Sequence, residues 1–124
     1  MIDHVSIAVR DLERGARFYD AVLATIGYSR LVTRPATVGF GKKYPELWLN
    51  ERRAMTPVDP DSGTHVCLRA SSAEAVQAFH AAALASGGTS DGAPGLRVDE
   101  NPGYYAAFIR DLEGNRIEAV TFLR

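Results

Sequence analysis

Apolar and small or polar residues alternate along His4-Val5-Ser6-Ile7-Ala8-Val9, the period of a strand with one buried face. The same pattern returns 61 residues later in His65-Val66-Cys67-Leu68-Arg69-Ala70, and both stretches open with His-Val. After each, the period lengthens to that of a helix. Leu12, Ala16, Tyr19, Leu23 and Ile26 mark one apolar face, with Asp11 as N-cap and Gly27 as the C′ stop. Val76, Phe79, Ala83 and Leu84 mark the second, opened by Ser71-Ser72-Ala73-Glu74 as a capping box and stopped by Gly87-Gly88. Phe18 and Phe79, Glu13 and Glu74, and Gly27 and Gly88 all keep the 61-residue offset.

Three strands are predicted after each helix. In the first half they fall near Tyr28–Thr33, Thr37–Gly41 and Glu46–Asn50; in the second, near Leu96–Val98, Tyr105–Arg110 and Arg116–Phe122. Asp111-Leu112-Glu113-Gly114-Asn115 joins the last two, and its Gly-Asn pair suits a turn with positive φ. Five Gly or Pro residues in Thr89–Gly103 predict a short strand among long loops. Each half therefore reads strand–helix–strand–strand–strand, an α+β chain of two βαβββ modules. The expected division of the single domain 1–124 is module one over about 1–52, a polar, proline-broken linker over about 53–62, and module two over about 63–124.

At 124 residues the chain is long enough to close a core without cross-links. Fourteen Lys plus Arg against fifteen Asp plus Glu leave a net charge of -1, with no basic footprint for nucleic acid. No apolar run approaches the roughly 20 residues of a membrane span. The opening Met1-Ile2-Asp3-His4 has no signal-peptide character, and a lone Cys67 fits a reducing compartment, so a cytoplasmic location is expected. One cysteine also excludes an intramolecular disulfide and a cysteine-based zinc cluster.

Chemistry enters through the repeat. Module one has His4 at the start of its first strand and Glu46 in its last, 42 residues on; module two has His65 and Glu118, 53 residues apart. An acid on a mostly apolar strand is costly to bury without a partner. Two modules related by a pseudo-twofold axis would gather two imidazoles and two carboxylates. That donor set suits Zn²⁺, Ni²⁺, Co²⁺, Fe²⁺ or Mn²⁺ and leaves open positions for water or a small-molecule substrate. The bland readings are a hydrogen-bonded histidine at each strand start, a solvated Glu46 at a sheet edge, and Glu118 paired with Arg116 or Arg110. His80 reads as a surface residue on the outer helix. Cys67 shares the face of His65 and reads as a small buried hydrophobe, the alternative being a residue that lines the site. Trp48 shares a face with Glu46, Arg69 shares one with His65 and is a candidate partner for a substrate carboxylate, and only one of Tyr104 and Tyr105 can look inward.

The sequence resembles the vicinal-oxygen-chelate superfamily of glyoxalases, bleomycin-resistance proteins and extradiol dioxygenases along its whole length. The carriers are Asp3-His4-Val5-Ser6-Ile7-Ala8-Val9-Arg10-Asp11, Pro45-Glu46-Leu47-Trp48-Leu49, Gly63-Thr64-His65-Val66-Cys67-Leu68 and, most specifically, the run from Tyr104 to Val120 through Asp111-Leu112-Glu113-Gly114-Asn115. The resemblance implies paired βαβββ modules whose mixed sheets curl into a metal-binding cup. It implies metal ligands at His4, Glu46, His65 and Glu118, with Glu118 or Glu46 as general base. It also implies a homodimer, with the cup built within one chain or between two. The expected chemistry is lyase or isomerase action on a small 2-oxo, 2-hydroxy or thiol-adduct substrate. The alternatives are a non-catalytic binding module holding an aromatic ligand against Trp48, Tyr104 or Tyr105, and a dioxygenase or thiol transferase on the same scaffold.

Overall fold

The computed structural model describes residues 1–97 and 101–123. The chain runs β1 (Val5–Val9), α1 (Leu12–Ala24), β2 (Ser29–Thr33), β3 (Thr37–Gly41), β4 (Pro45–Glu51), β5 (His65–Arg69), α2 (Ala73–Ala85), β6 (Thr89–Leu96), β7 (Tyr104–Arg110) and β8 (Arg116–Phe122). It is an α+β fold of two repeated modules. Each module is a four-stranded mixed sheet with one helix on it, ordered β1-β4-β3-β2 and β5-β8-β7-β6. In each, the first strand runs parallel to the last and the other neighbours are antiparallel. The two sheets do not close on each other; α1 and α2 touch instead.

The helices form where capping and periodicity agree. The Asp11 carboxylate accepts from the N–H of Arg14, and the Ser72 hydroxyl accepts from that of Ala75. The cap of α2 is thus Ser72 rather than Ser71, because Ser72 is the residue with extended backbone one position before the first helical turn. Gly27 ends α1 at φ +85° and lets Tyr28 N–H reach the Leu23 carbonyl. Gly87, at φ +98°, does the same for α2 with Gly88 N–H on Ala83, one residue earlier than the 61-residue offset gives.

One sequence expectation fails in module two. In place of a short strand at Leu96–Val98 there is an eight-residue β6, Thr89–Leu96. Val98 lies outside the described residues. Gly and Pro do not break β6 because it is the sheet's edge strand. Its ladder with β7 slips at Gly92 and Gly95, and Pro94 falls in the slipped stretch, where no registered pair calls for its missing N–H.

The core lies between helices and sheets. Leu47 and Leu49 of β4 are fully buried on the helix side, as are Tyr19, Val22 and Leu23 of α1 and Phe79 of α2. Strand alternation sends Glu46 and Trp48 to the opposite face. The modules are tied by the β7–β8 turn. Asn115 Nδ2 donates to the Ala8 carbonyl at 3.0 Å, the Arg10 guanidinium bonds Glu113 at 2.6 Å, and the Tyr19 hydroxyl donates to Asp111 at 2.6 Å. No described helix is long and apolar enough to cross a membrane.

Candidate functional site

The face of each sheet turned away from its helix carries the polar side chains. In module two, His65, Cys67 and Arg69 of β5 lie beside Arg116, Glu118 and Val120 of β8, and Phe108 of β7 lies opposite Glu118. Glu118 is 2% exposed, yet both its oxygens are engaged. His65 Nε2 stands 3.0 Å from Oε1, and the Tyr104 hydroxyl donates to Oε2. Arg116 and Arg110 both turn to Asp91 instead, which removes the alternative pairing for Glu118. The Tyr104 phenol is raised above its ordinary range, by desolvation and then by its bond to the carboxylate.

Cys67 is not a small buried hydrophobe; it is a free, exposed cysteine on the same face. Its outward position follows from the strand alternation that also puts His65 there. The protein around the sulfur still raises the thiol to about 12, by desolvation first and by the Glu118 charge second. A thiol in that range is not an activated nucleophile.

In module one, His4 hydrogen-bonds Asp3 through Nδ1 at 2.7 Å, and Glu46 accepts the Tyr28 hydroxyl. His4 and Glu46 line a cleft of about 390 Å³ together with Cys67 from the other module. His4 also faces a second hollow of about 560 Å³ with Ser6, Arg34 and Trp48. Arg69 caps the Phe122 ring at 4.7 Å in a third, of about 500 Å³. Tyr104 faces the polar side, as one of the adjacent tyrosines must. Tyr105 turns to the helix side, where Gln77 donates to its hydroxyl at 2.9 Å. His80 sits on α2, bonded to Ser90 at 2.8 Å.

The strand register adds what the sequence repeat does not show. Cys67 lies opposite Glu118 in module two, and its counterpart Ser6 lies opposite Trp48 in module one. Trp48, not Glu46, therefore occupies the place that corresponds to Glu118. Glu46 lies two residues earlier, level with His4 at one step before the first registered pair, Val5 with Leu47. The structure brings His65 and Glu118 together and holds them apart from His4 and Glu46. Among the described residues, no three His, Cys, Asp or Glu side chains converge as a metal site. Arg34 stands over Trp48, its guanidinium 5.2 Å from the ring centre, a pairing that no spacing in the sequence signals.

The fold matches known proteins. The sequence profile of the Glyoxalase/Bleomycin resistance protein/Dioxygenase superfamily matches residues 1–119. The chain belongs to this superfamily. A glyoxalase/bleomycin resistance protein from Albidiferax ferrireducens T118 is 33% identical, with a TM-score of 0.80 over 94% of each chain. A glyoxalase/bleomycin resistance protein/dioxygenase family enzyme from Burkholderia phytofirmans PsJN shares the fold at 20% identity, with a TM-score of 0.75 over 98% of each chain. A glyoxalase/dioxygenase from Nostoc punctiforme shares it at 15% identity, with a TM-score of 0.75 over 100% of this chain and 92% of that one. No curated relative matches the chain.

Imidazole and carboxylate are donors of the kind that suit a borderline divalent cation.

Proposed function

We propose that this superfamily member is a divalent-metal lyase or isomerase of glyoxalase type, acting on a small 2-oxo, 2-hydroxy or thiol-adduct substrate in the cytoplasm. The observation that carries the reading is Glu118: a carboxylate 2% exposed, on a mostly apolar strand, with His65 Nε2 at 3.0 Å. Burial of a charge at such a cost is explained by a cation that it helps to hold. His65 and Glu118 would supply one half of the ligand set, for Zn, Ni, Co, Fe or Mn. His4 and Glu46 of a facing module would supply the other. A homodimer is the arrangement that presents such a module.

A bound divalent ion would polarise two adjacent substrate oxygens and stabilise charge that develops beside a carbonyl. The chain's own residues do the rest. Tyr104 and Tyr28 each donate to one of the two glutamates, Glu118 and Glu46, and so fix the direction of their free lone pairs. A glutamate held in this way is placed to take a proton from a carbon next to the polarised carbonyl. The second reading is a binding module without catalysis. It is favoured by Trp48, an aromatic ring at the register position where module two has its buried acid.

Metal content of the purified chain separates the two. The protein is dialysed against each divalent ion under anaerobic conditions and the retained metal is measured by mass spectrometry. On the enzyme reading the wild type retains an ion, and His65→Ala and Glu118→Gln each bind it about a hundredfold more weakly or worse. Failure of every ion to be retained by the wild type overturns that reading in favour of the binding module.

A further inference from the structure

The arginines on the polar faces of the sheets fall into two groups. Arg110 and Arg116 share Asp91, and Arg97, which also lies over a ring, Phe108 at 5.2 Å, spends its donors on the carbonyls of Ala93 and Gly95. Arg34 and Arg69 have no carboxylate partner within salt-bridge distance among the described residues. Each lies over an aromatic ring instead, Arg34 over Trp48 at 5.2 Å and Arg69 over Phe122 at 4.7 Å.

The Arg34–Trp48 pair is built into the sheet. Trp48 lies across from Gly39 on β3, and the missing side chain there is what lets the indole lie down. A Cβ on Gly39 would stand 3.0 Å from two atoms of the ring and 2.9 Å from Cβ of Pro45. Arg34 is positioned by its own backbone, whose N–H donates to the Thr37 carbonyl at 2.9 Å across the β2–β3 turn. Its side chain is exposed, and the hollow in front of the pair measures about 560 Å³. Asp3, the one carboxylate lining that hollow, is engaged by His4 at 2.7 Å.

A guanidinium held over a ring keeps its in-plane N–H donors free along its edge, and that edge matches a carboxylate in bidentate geometry. A carboxylate held on that edge brings a flat group attached to it into the hollow that Trp48 also lines. We propose that Arg34 and Trp48 form the binding site for a planar organic carboxylate, an aryl or conjugated acid, so that module one reads the substrate while module two holds the buried His–Glu pair. The assignment deepens the proposed function by naming a substrate class, and rests on it only in taking these polar faces as the place where substrate binds.

Trp48 is the sole tryptophan, so the site carries its own reporter. Full-length protein freed of metal with EDTA is titrated with benzoate and cinnamate, and in parallel with benzyl alcohol and benzylamine. Trp48 emission and binding heat are both recorded. The expected result is saturable quenching by the two carboxylates, with affinity about tenfold or more above that of the neutral and cationic analogues. Arg34→Met should erase that preference, and Arg34→Lys should restore part of it, because charge without the fork recovers attraction but not bidentate geometry. Trp48→Phe removes the optical signal, and the heat of carboxylate binding should persist there. Equal affinity for benzoate and benzyl alcohol, an unchanged preference in Arg34→Met, or no saturable carboxylate binding each overturns the proposal. Metal is absent throughout, so carboxylate preference in a protein that retains no ion upholds this site while the metal reading falls. Metal retention that depends on His65, without carboxylate preference, does the reverse.

Discussion

The contact between Tyr19 and Asp111 should behave as a lock between the modules, and its removal can be given a magnitude. Tyr19 is fully buried on α1, and Asp111 is 7% exposed in the β7–β8 turn of the other module. The Tyr19 hydroxyl donates to Asp111 Oδ2 at 2.6 Å. Asn115 Nδ2 donates to the same oxygen at 2.9 Å, and the N–H groups of Glu113 and Asn115 both donate to Oδ1 at 2.9 Å. Tyr19→Phe removes one donor to a carboxylate and leaves the other three, so it should cost about 1.5–3 kcal/mol. For a domain of this size that lowers Tm by roughly 5–12 °C. Asp111→Asn is worse. In either orientation its amide NH₂ faces two donors, which predicts a loss of about 3–5 kcal/mol. The double variant should lose less than the two losses added, by about 1.5–3 kcal/mol, because the contact can be removed only once. Urea unfolding followed by circular dichroism measures all four proteins. A Tyr19→Phe loss under about 0.5 kcal/mol, or strict additivity in the double variant, would refute the reasoning.

The same group sets a pH dependence. Desolvation raises Asp111 above its ordinary value despite the four donors, which pull the other way. Between the ordinary and the raised value the native state holds a proton that the unfolded state has lost. The contribution of this group to stability therefore falls as pH rises through that window. Relative to Asp111→Asn, which cannot titrate there, the wild type should gain stability as pH falls from about 7 toward about 4. A constant difference across that range would show that the two states bind the proton equally.

Two further substitutions test the packing. Phe79→Ala empties a fully buried aromatic site between α2 and its sheet and should cost about 3–5 kcal/mol by urea unfolding, whereas a loss under about 1 kcal/mol would mean that the helix is not seated as described. Gly39→Ala places a methyl group 3.0 Å from the indole and 2.9 Å from Pro45, so it should lift Trp48 from the strand, shift its emission and cost about 1–3 kcal/mol; an unchanged emission spectrum would show that the ring does not lie on this glycine.

Much of the fold was legible because local chemistry and the repeat agree. The His-Val openings, the Asp11 and Ser72 neighbourhoods and the Gly114-Asn115 turn each specify one element and recur or cap where the periodicity requires. Strand β6 was hidden because glycine and proline count against a strand unless it is known to be an edge, and edge status is a property of the sheet, not of the segment. The face of Cys67 was legible from the alternation it shares with His65, but its exposure was not, because residue type favours burying a cysteine.

The candidate site shows the limit more sharply. The sequence offers two histidines at one offset and two acids on last strands, and the economical reading is that the acids correspond. Correspondence between strands depends on the register of β4 against β1. The acid is displaced by two residues, which keeps it on the same face and leaves the hydrophobic alternation unmarked. Once the register is known, the two halves are related but unlike. Module two presents a buried acid braced by His65 and Tyr104, and module one presents at the same place an indole covered by a guanidinium. Duplication supplied the scaffold twice. The differences between the copies, Trp48 against Glu118 and Ser6 against Cys67, are where a division of labour between holding a cation and reading a substrate would be written.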